Sequence, residues 1–442
     1  MKRDTYKVIL LSSLIIISII QTYSLWLGNV LGHKFFIEKT LMPIKPESIW
    51  LNTGGEYTKA YKVANYKSEY ENIILELKTN LSQGIEINEE KKYDWKELFN
   101  IKGIIYEYKI EVTLDEIMAE PIEFPYTFDT ILLSLNGDKC IYLISQAKGY
   151  YFVLRTTNAF TASKKIYDVI LENEDNMIKY QPSIKDLKAP YLERNVFLAN
   201  ISAASPLVYT PIKFQNNLEL EEDKMLILDR YVDDFFDKPI MKEIEINEEG
   251  MITFTEPMKA IIKYFPKGSM EYVNLNGKFT NTDMTRLEAY NAAMLFIQNS
   301  AIFLDNLKEN LYLENITKNN DSYTFNFNIM YENHKVVISN SMKEFLNLDY
   351  MISIQVRDNE IISGKWAMLD ITPIILEYSK AIKEGYASPI DTMYSLLKQE
   401  GYEPIFKNVE CVYTIEGINM VTDLRWGIKY GDKWYYPILL NF

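Results

Sequence analysis

Residues 323–336 read YTFNFNIMYENHKV. Tyr323, Phe325, Phe327 and Ile329 alternate with Thr324, Asn326 and Asn328. A period of two puts successive side chains on opposite faces, so this stretch reads as a strand with one buried face. It closes in Tyr331-Glu332-Asn333-His334-Lys335-Val336, where a hairpin turn is expected. A helix precedes it. Thr285-Arg286-Leu287-Glu288 is a capping box, in which the hydroxyl and the carboxylate satisfy orphan N–H groups. Leu287, Tyr290, Met294 and Ile297 follow at helical spacing. The same order returns later. Ser388-Pro389-Ile390-Asp391 supplies an N-cap, a Pro at the first helical position and an acid in the first turn. Ile390, Met393, Tyr394 and Leu397 form its apolar stripe, and Gly401 its C-cap. Asn408-Val409 then matches Asn315-Ile316, and Leu424, Trp426 and Ile428 alternate before Tyr430-Gly431-Asp432-Lys433-Trp434. The pattern implies two copies of a helix-plus-antiparallel-sheet module of about 100 residues.

Upstream, Ser48 to Leu51 reads as a short strand before the turn Asn52-Thr53-Gly54-Gly55. Thr130 to Leu135 is strand-like, Asn136-Gly137 is a strong hairpin turn, and Cys140 to Ile144 is its partner. A polar segment around Glu172 to Asp186 separates this region from one opening near Ala189-Pro190. That second region holds the acidic stretch Asp229 to Lys238, a strand from Met251 to Thr255 after the turn Glu248-Glu249-Gly250, and a strand from Ser269 to Leu275.

Val8 to Leu27, VILLSSLIIISIIQTYSLWL, carries no charge. At about 1.5 Å per residue it spans roughly 30 Å, the thickness of a bilayer core. Lys2, Arg3 and Lys7 precede it, which places the N-terminus in the cytoplasm and the bulk outside. A cleaved signal peptide needs a shorter apolar core and a small-x-small site, which Val30 and Gly32 match only loosely. No Cys follows the apolar run, so a lipoprotein is excluded. Ser18, Gln21 and Thr22 share one helix face and are candidates for contact with a neighbouring transmembrane helix. The competing reading hydrates Gln21 to Ser24 at the interface and turns the serine hydroxyls back on their own helix.

Hydrophobic residues make up 48% of the chain and aromatics 14%, so the part beyond the anchor can build real cores. Net charge is −14, from 47 basic and 61 acidic residues, which argues against a nucleic-acid groove. The two cysteines, Cys140 and Cys411, make no CxxC unit and read as small buried hydrophobes, with a single bridge left open.

The two histidines, His33 and His334, assemble no nucleophilic triad. The chain shows no HExxH, P-loop, GxGxxG or Cys/His cluster. No catalytic, cofactor-binding or metal residue is assigned. The densest carboxylates, Asp229, Asp233, Asp234 and Asp237, read as a solvated acidic face rather than a hydrolytic pair. The aromatic strands read as core, with an exposed docking patch as the other possibility.

This arrangement resembles the YycH family of Gram-positive bacteria. Lys45-Pro46-Glu47-Ser48-Ile49-Trp50 and Phe124-Pro125-Tyr126-Thr127-Phe128-Asp129 are similar to it in the first region. Met251-Ile252-Thr253-Phe254-Thr255 with Glu271-Tyr272-Val273-Asn274 fits its middle domain, and Gly401-Tyr402 with Arg425-Trp426 its closing one. Glu256-Pro257 departs from the Gly and Asp expected there, the mark of a divergent member. The resemblance implies a non-enzymatic regulator of the sensor histidine kinase YycG (WalK), which controls cell-wall metabolism, acting with a YycI-like protein partly through transmembrane-helix contacts. It supplies no catalytic residue. The alternatives are an anchored cell-wall enzyme using carboxylates and an ectodomain that binds a wall ligand.

The expected fold is α+β: a single transmembrane helix, then an ectodomain of mixed antiparallel sheets and helices whose last two domains are alike. The expected divisions are 1–7 cytoplasmic, 8–27 transmembrane, 28–45 juxtamembrane stalk, 46–187 N-terminal ectodomain, 188–315 middle domain and 316–442 C-terminal domain.

Overall fold

The computed structural model describes residues 41–55, 58–63, 74–80, 86–92, 95–122, 124–156, 158–174, 177–183, 191–276, 284–300, 308, 310–375 and 379–437. The expected anchor Val8–Leu27, with Ser18, Gln21 and Thr22, and stalk residues 28–40 lie outside them. No helix among the described residues is long and apolar enough to cross a membrane. The architecture is mixed α+β and mostly antiparallel.

A nine-stranded antiparallel sheet comes first. Its spatial order is Glu86–Lys92, Tyr150–Arg155, Cys140–Ser145, Phe128–Ser134, Gly103–Val112, Ser48–Asn52, Ala60–Lys62, Tyr180–Ser183 and Val196–Ala199. The hairpin expected around Asn136-Gly137 is there: Thr130 pairs with Ile144, and Gly137 turns with a φ of 91°. Phe128–Ser134 is buried at every position. Ile131 and Leu133 pack into the largest core, while Leu132 faces a second cluster with Trp50, Trp95 and Phe99. A sheet covered on both faces yields a continuous apolar run instead of alternation.

A twelve-stranded sheet runs from an edge at Glu243–Ile246 to one at Lys433–Tyr435. It turns on Ser322–Tyr331. Along one side this strand pairs with Leu311–Asn319. Along the other, Tyr323–Phe327 pairs with Ile352–Val356 and Ile329–Tyr331 with His334–Val336. From there Lys335–Ile338 lies parallel to Val412–Ile415, which carries the sheet to the C-terminus. The expected boundary at 315/316 therefore falls inside one strand, because the hairpin that closes the first helix module also opens the second. The boundary at 187/188 is crossed as well, since Val196–Ala199 completes the first sheet. Leu207–Tyr209 and Ile212–Gln215 pair with Lys380–Ile382 and with Asp370–Pro373 and Val421–Thr422.

The helices hold their sequence signals unequally. Arg286–Asn299 begins at the Thr285–Glu288 capping box and packs on the Ser322–Tyr331 strand, with Tyr290 against Phe325 and Phe327. The later helix spans Ala387–Gln399 with Tyr386 as its N-cap. Ser388 is thus inside the helix and does not cap it. Pro389 still sits in the first turn, where its missing N–H has no partner to lose. Ile390, Met393 and Leu397 are buried, but Tyr394 is exposed. At the far end Gly401 adopts a φ of 82°; its N–H reaches Lys398 O and that of Tyr402 reaches Leu397 O, a Schellman closure. The alternating aromatics are core. Tyr323, Phe325, Phe327, Ile329, Trp426 and Ile428 are all buried, whereas Tyr430, Trp434, Tyr435 and Tyr436 of the expected docking patch are half-buried.

Residues 41–45, expected in the stalk, are built into the body. Ile44 is buried and its N–H donates to Glu116 O at 2.9 Å, while the Met42 N–H donates to Asn291 Oδ1 at 3.2 Å. Phe325, fully buried between Tyr290 and Tyr323 on the forking strand, is the test of this core. Phe325→Ala should lower unfolding free energy by about 3–5 kcal/mol, read as a fall in urea midpoint with unchanged slope.

Candidate functional site

Among the described residues no group of His, Cys, Asp and Glu is placed to hold a metal ion. Asp229 and Asp233 hold Lys242, and Asp237 holds Lys259 at 2.9 Å. That acidic stretch is a set of ion pairs on the surface. Cys140 and Cys411 are free buried thiols. His33 lies outside the described residues.

Charge gathers instead between the two sheets. Lys335 stands in the apolar strand His334–Ile338 and is only 1% exposed. Its ammonium meets Glu47 Oε1 at 2.5 Å and Glu410 Oε1 at 2.5 Å. Glu47 sits just before the first strand of the nine-stranded sheet; Glu410 belongs to the last part of the twelve-stranded one. Around this bridge lie further pairs. Lys109 Nζ is 3.7 Å from Glu47 Oε2, Arg194 Nη2 is 3.4 Å from Glu107 Oε1, and Lys429 Nζ is 2.7 Å from Glu314 Oε1. Trp50 Nε1 donates to Glu107 Oε2 at 3.0 Å, and Asn408 Nδ2 donates to Glu410 Oε1 at 2.5 Å. Lys62 Nζ donates to Asn333 O at 2.8 Å in the hairpin turn and lies over the Trp50 ring. Two pairs of strands from the two sheets meet here: Leu311–Asn319 against Gly103–Val112, and Asn408–Ile415 against Val196–Ala199.

Electrostatics confirm a sealed network. Burial opposes the charge of Glu47, but Lys109, Lys335 and Arg194 outweigh it and hold the carboxyl well below its usual range. Burial opposes the charge of Lys335 too, and Glu410, Glu47 and Glu314 more than reverse that. Lys109 loses the contest and is pushed down to about 8 by burial. Burial also raises the Asp129 carboxyl to about 6 and, with the charge of Lys62, lowers His334 to about 3. His334 Nδ1 lies 3.3 Å from the Cys411 carbonyl oxygen. The hairpin-turn residue of the sequence reading is therefore a neutral group facing the junction.

The junction encloses only about 40 Å³, room for ordered water and not for a substrate. Two larger hollows lie elsewhere. One, of about 840 Å³, runs beside the helix Thr161–Glu172. Its one described acid, Glu76, is spent on the start of that helix, accepting from the N–H groups of Ala162 and Ser163 and from Ser163 Oγ. The other, of about 730 Å³, opens beside Met42 and Pro43 and has no acid in its described lining.

Sequence reading missed these charges because each stands alone in an apolar context. The usable signal was Lys335 within H-K-V-V-I, Glu107 within I-Y-E-Y, and Glu410 within N-V-E-C-V, charged positions in strands otherwise fit for burial.

The fold and its junction define a class: a two-sheet α+β body locked by buried ion pairs and carrying no assembled catalytic group among the described residues. No protein-family model matches the chain, and no curated protein sequence does. Among solved structures, the crystal structure of YycH from Bacillus subtilis is similar, with a TM-score of 0.56 and 16% identity over 90% of this chain and 96% of that one. An uncharacterized protein from Eubacterium rectale ATCC 33656 matches with a TM-score of 0.36 and 14% identity over 59% of this chain and 86% of that one. The first match shows a distant YycH-like fold.

The junction makes two stability predictions. Lys335→Met leaves the buried Glu47 and the half-buried Glu410 without their cation and should cost about 3–5 kcal/mol, with partial recovery in the Glu47→Gln/Lys335→Met double variant. The pH dependence has two opposed components. His334, held near 3 when folded against an ordinary 6.5, binds fewer protons folded than unfolded, so its contribution falls as pH drops from 6.5 towards 3. Asp129, raised to about 6 against 3.8, binds more protons folded, so its contribution grows as pH drops from 6 towards 3.8. In urea unfolding between pH 4 and 6.5, His334→Gln should lose less stability on acidification than the parent, and Asp129→Asn should lose more.

Proposed function

We propose that this chain is a non-enzymatic, membrane-anchored regulator of a sensor histidine kinase that controls cell-wall metabolism. The bulk lies outside the cytoplasm, and the Val8–Leu27 helix carries Ser18, Gln21 and Thr22 towards partner helices. The observation that carries this reading is the YycH-like fold over nearly the whole chain, joined to the sequence resemblance to that family. At the junction the charged residues are paired with one another around a space of about 40 Å³.

A regulator of this kind acts by binding the signalling states of the kinase with different affinity. The chain enters the body through Met42–Glu47, ending at the carboxylate that Lys335 clamps. Ectodomain contacts thereby act on the segment nearest the proposed anchor.

Full-length protein should co-purify from membranes with the kinase encoded nearest its own gene, and with a YycI-like partner where one is present. Ser18→Leu/Gln21→Leu should reduce kinase recovery severalfold with membrane insertion unchanged. Undiminished recovery would remove the helix-contact proposal, and an unaltered kinase phosphorylation level on deletion of the whole gene would remove the regulator reading.

A further inference from the structure

The twelve-stranded sheet ends at Glu243–Ile246, and all four residues of that strand are exposed. Ile244 pairs with Phe254 and Ile246 with Ile252, so both isoleucines lie on the face that is core one strand further in. Phe254 is 0% exposed and Ile244 43%. The row Ile262, Phe254, Ile244 thus runs from the interior into solvent without a change of chemistry. Ile240 and Met241, just before the strand, are also exposed.

Among the described residues no strand pairs with the outer side of this edge. The Asn247 N–H donates inward to Met251 O at 3.0 Å. Antiparallel ladders alternate, so Glu245 and Glu243 also bond inward, and the N–H and C=O groups of Ile244 and Ile246 point away from the sheet. The other face is acidic. Glu243 and Glu245 lie on it, Glu248 and Glu249 follow in the turn, and no Lys or Arg occurs from Glu243 to Met258; Lys263, opposite Thr253, is two strands further in. Lys242, the nearest cation before the strand, is held by Asp229 and Asp233.

These charges disfavour a second copy. Antiparallel self-pairing through the outward amides has three registers, centred on Ile244, on Glu245 or on Ile246. The first two set Glu243 opposite Glu245 and Glu245 opposite itself, and directly opposed like charges destabilise a ladder; the third runs at once into the turn at Glu248-Glu249-Gly250, where the strand has ended. A cationic strand reverses that sign.

We propose that the Glu243–Ile246 edge takes up one extended segment of another protein in which branched apolar residues alternate with Lys or Arg. The apolar side chains continue the row begun by Ile262 and Phe254, the basic ones pair with Glu243 and Glu245, and the main chain bonds to Ile244 and Ile246. This holds whether or not the kinase reading does, because it rests on the edge alone.

The test uses full-length protein in detergent and a fluorescein-labelled peptide, VKVKVK, followed by anisotropy. Binding should be about tenfold weaker or worse for the same peptide N-methylated at each valine, and for VEVEVE. Ile244→Pro removes one outward N–H and should bring a similar loss. Glu243→Lys/Glu245→Lys, which leaves the backbone untouched, should instead prefer VEVEVE. Equal binding of the plain and N-methylated peptides, or an unchanged preference in the charge-reversed variant, would overturn the proposal. So would a dimer seen by light scattering and abolished by Ile244→Pro, since the occupant would then be a second copy.

Discussion

The ammonium of Lys335, clamped between Glu47 and Glu410, is the contact on which the relation of the two sheets depends. Removing these three charges from water is expensive, and their mutual attraction recovers that only when the geometry is good. A buried ion pair is therefore weak as a source of stability and strong as a source of uniqueness. Apolar faces would let the sheets slide past one another with little penalty. A slide here strands a carboxylate without its cation, and Glu47 Oε2 already lacks a hydrogen bond. The surrounding pairs act within each side: Arg194 with Glu107 at the nine-stranded sheet, and Lys429 with Glu314 inside the twelve-stranded one.

The second constraint is the strand Ser322–Tyr331, which has different neighbours along its length. A strand shared between two hairpins joins the sheet built on the helix Arg286–Asn299 to the part that carries Glu410. One core cluster spans the entry segment at Ile44, the first sheet and the Phe325 face, and another fills the C-terminal part. The body is thus tied together by a common strand and a common charge cluster, and neither tie lies on an exposed loop. Met42–Glu47 is joined to the rest of the body through packed strands.

Much of this was legible in the residues. The alternation from Tyr323 to Ile329, the Thr285–Glu288 box, the Asn136-Gly137 turn and Gly401 are local signals, and local signals survive into structure because backbone geometry demands them. The readings that failed were those set by distant contacts. Ser388 looks like an N-cap, but the helix starts one residue before it, with Tyr386 at the cap position. The stretch 41–45 looks like a stalk, yet Ile44 is in the core. The divisions at 187/188 and 315/316 follow changes in local pattern, while strand pairing ignores them. The junction was invisible for a plainer reason. A single Lys in an apolar strand declares a buried charge but not its partner, and Glu47, Glu410 and Lys335 are far apart in the chain.

The low identity with YycH is what such an architecture predicts. A catalytic site fixes a few residues through the chemistry they perform, and those residues remain readable at great divergence. A packed body imposes no such points. Its core asks for volume and period, which many side chains meet. At 16% identity over 96% of the similar chain, the TM-score is still 0.56. What remains particular to this chain is then found where physics leaves little freedom: buried charge that must be matched, as at Lys335, and an apolar row that ends in solvent, as at Ile244.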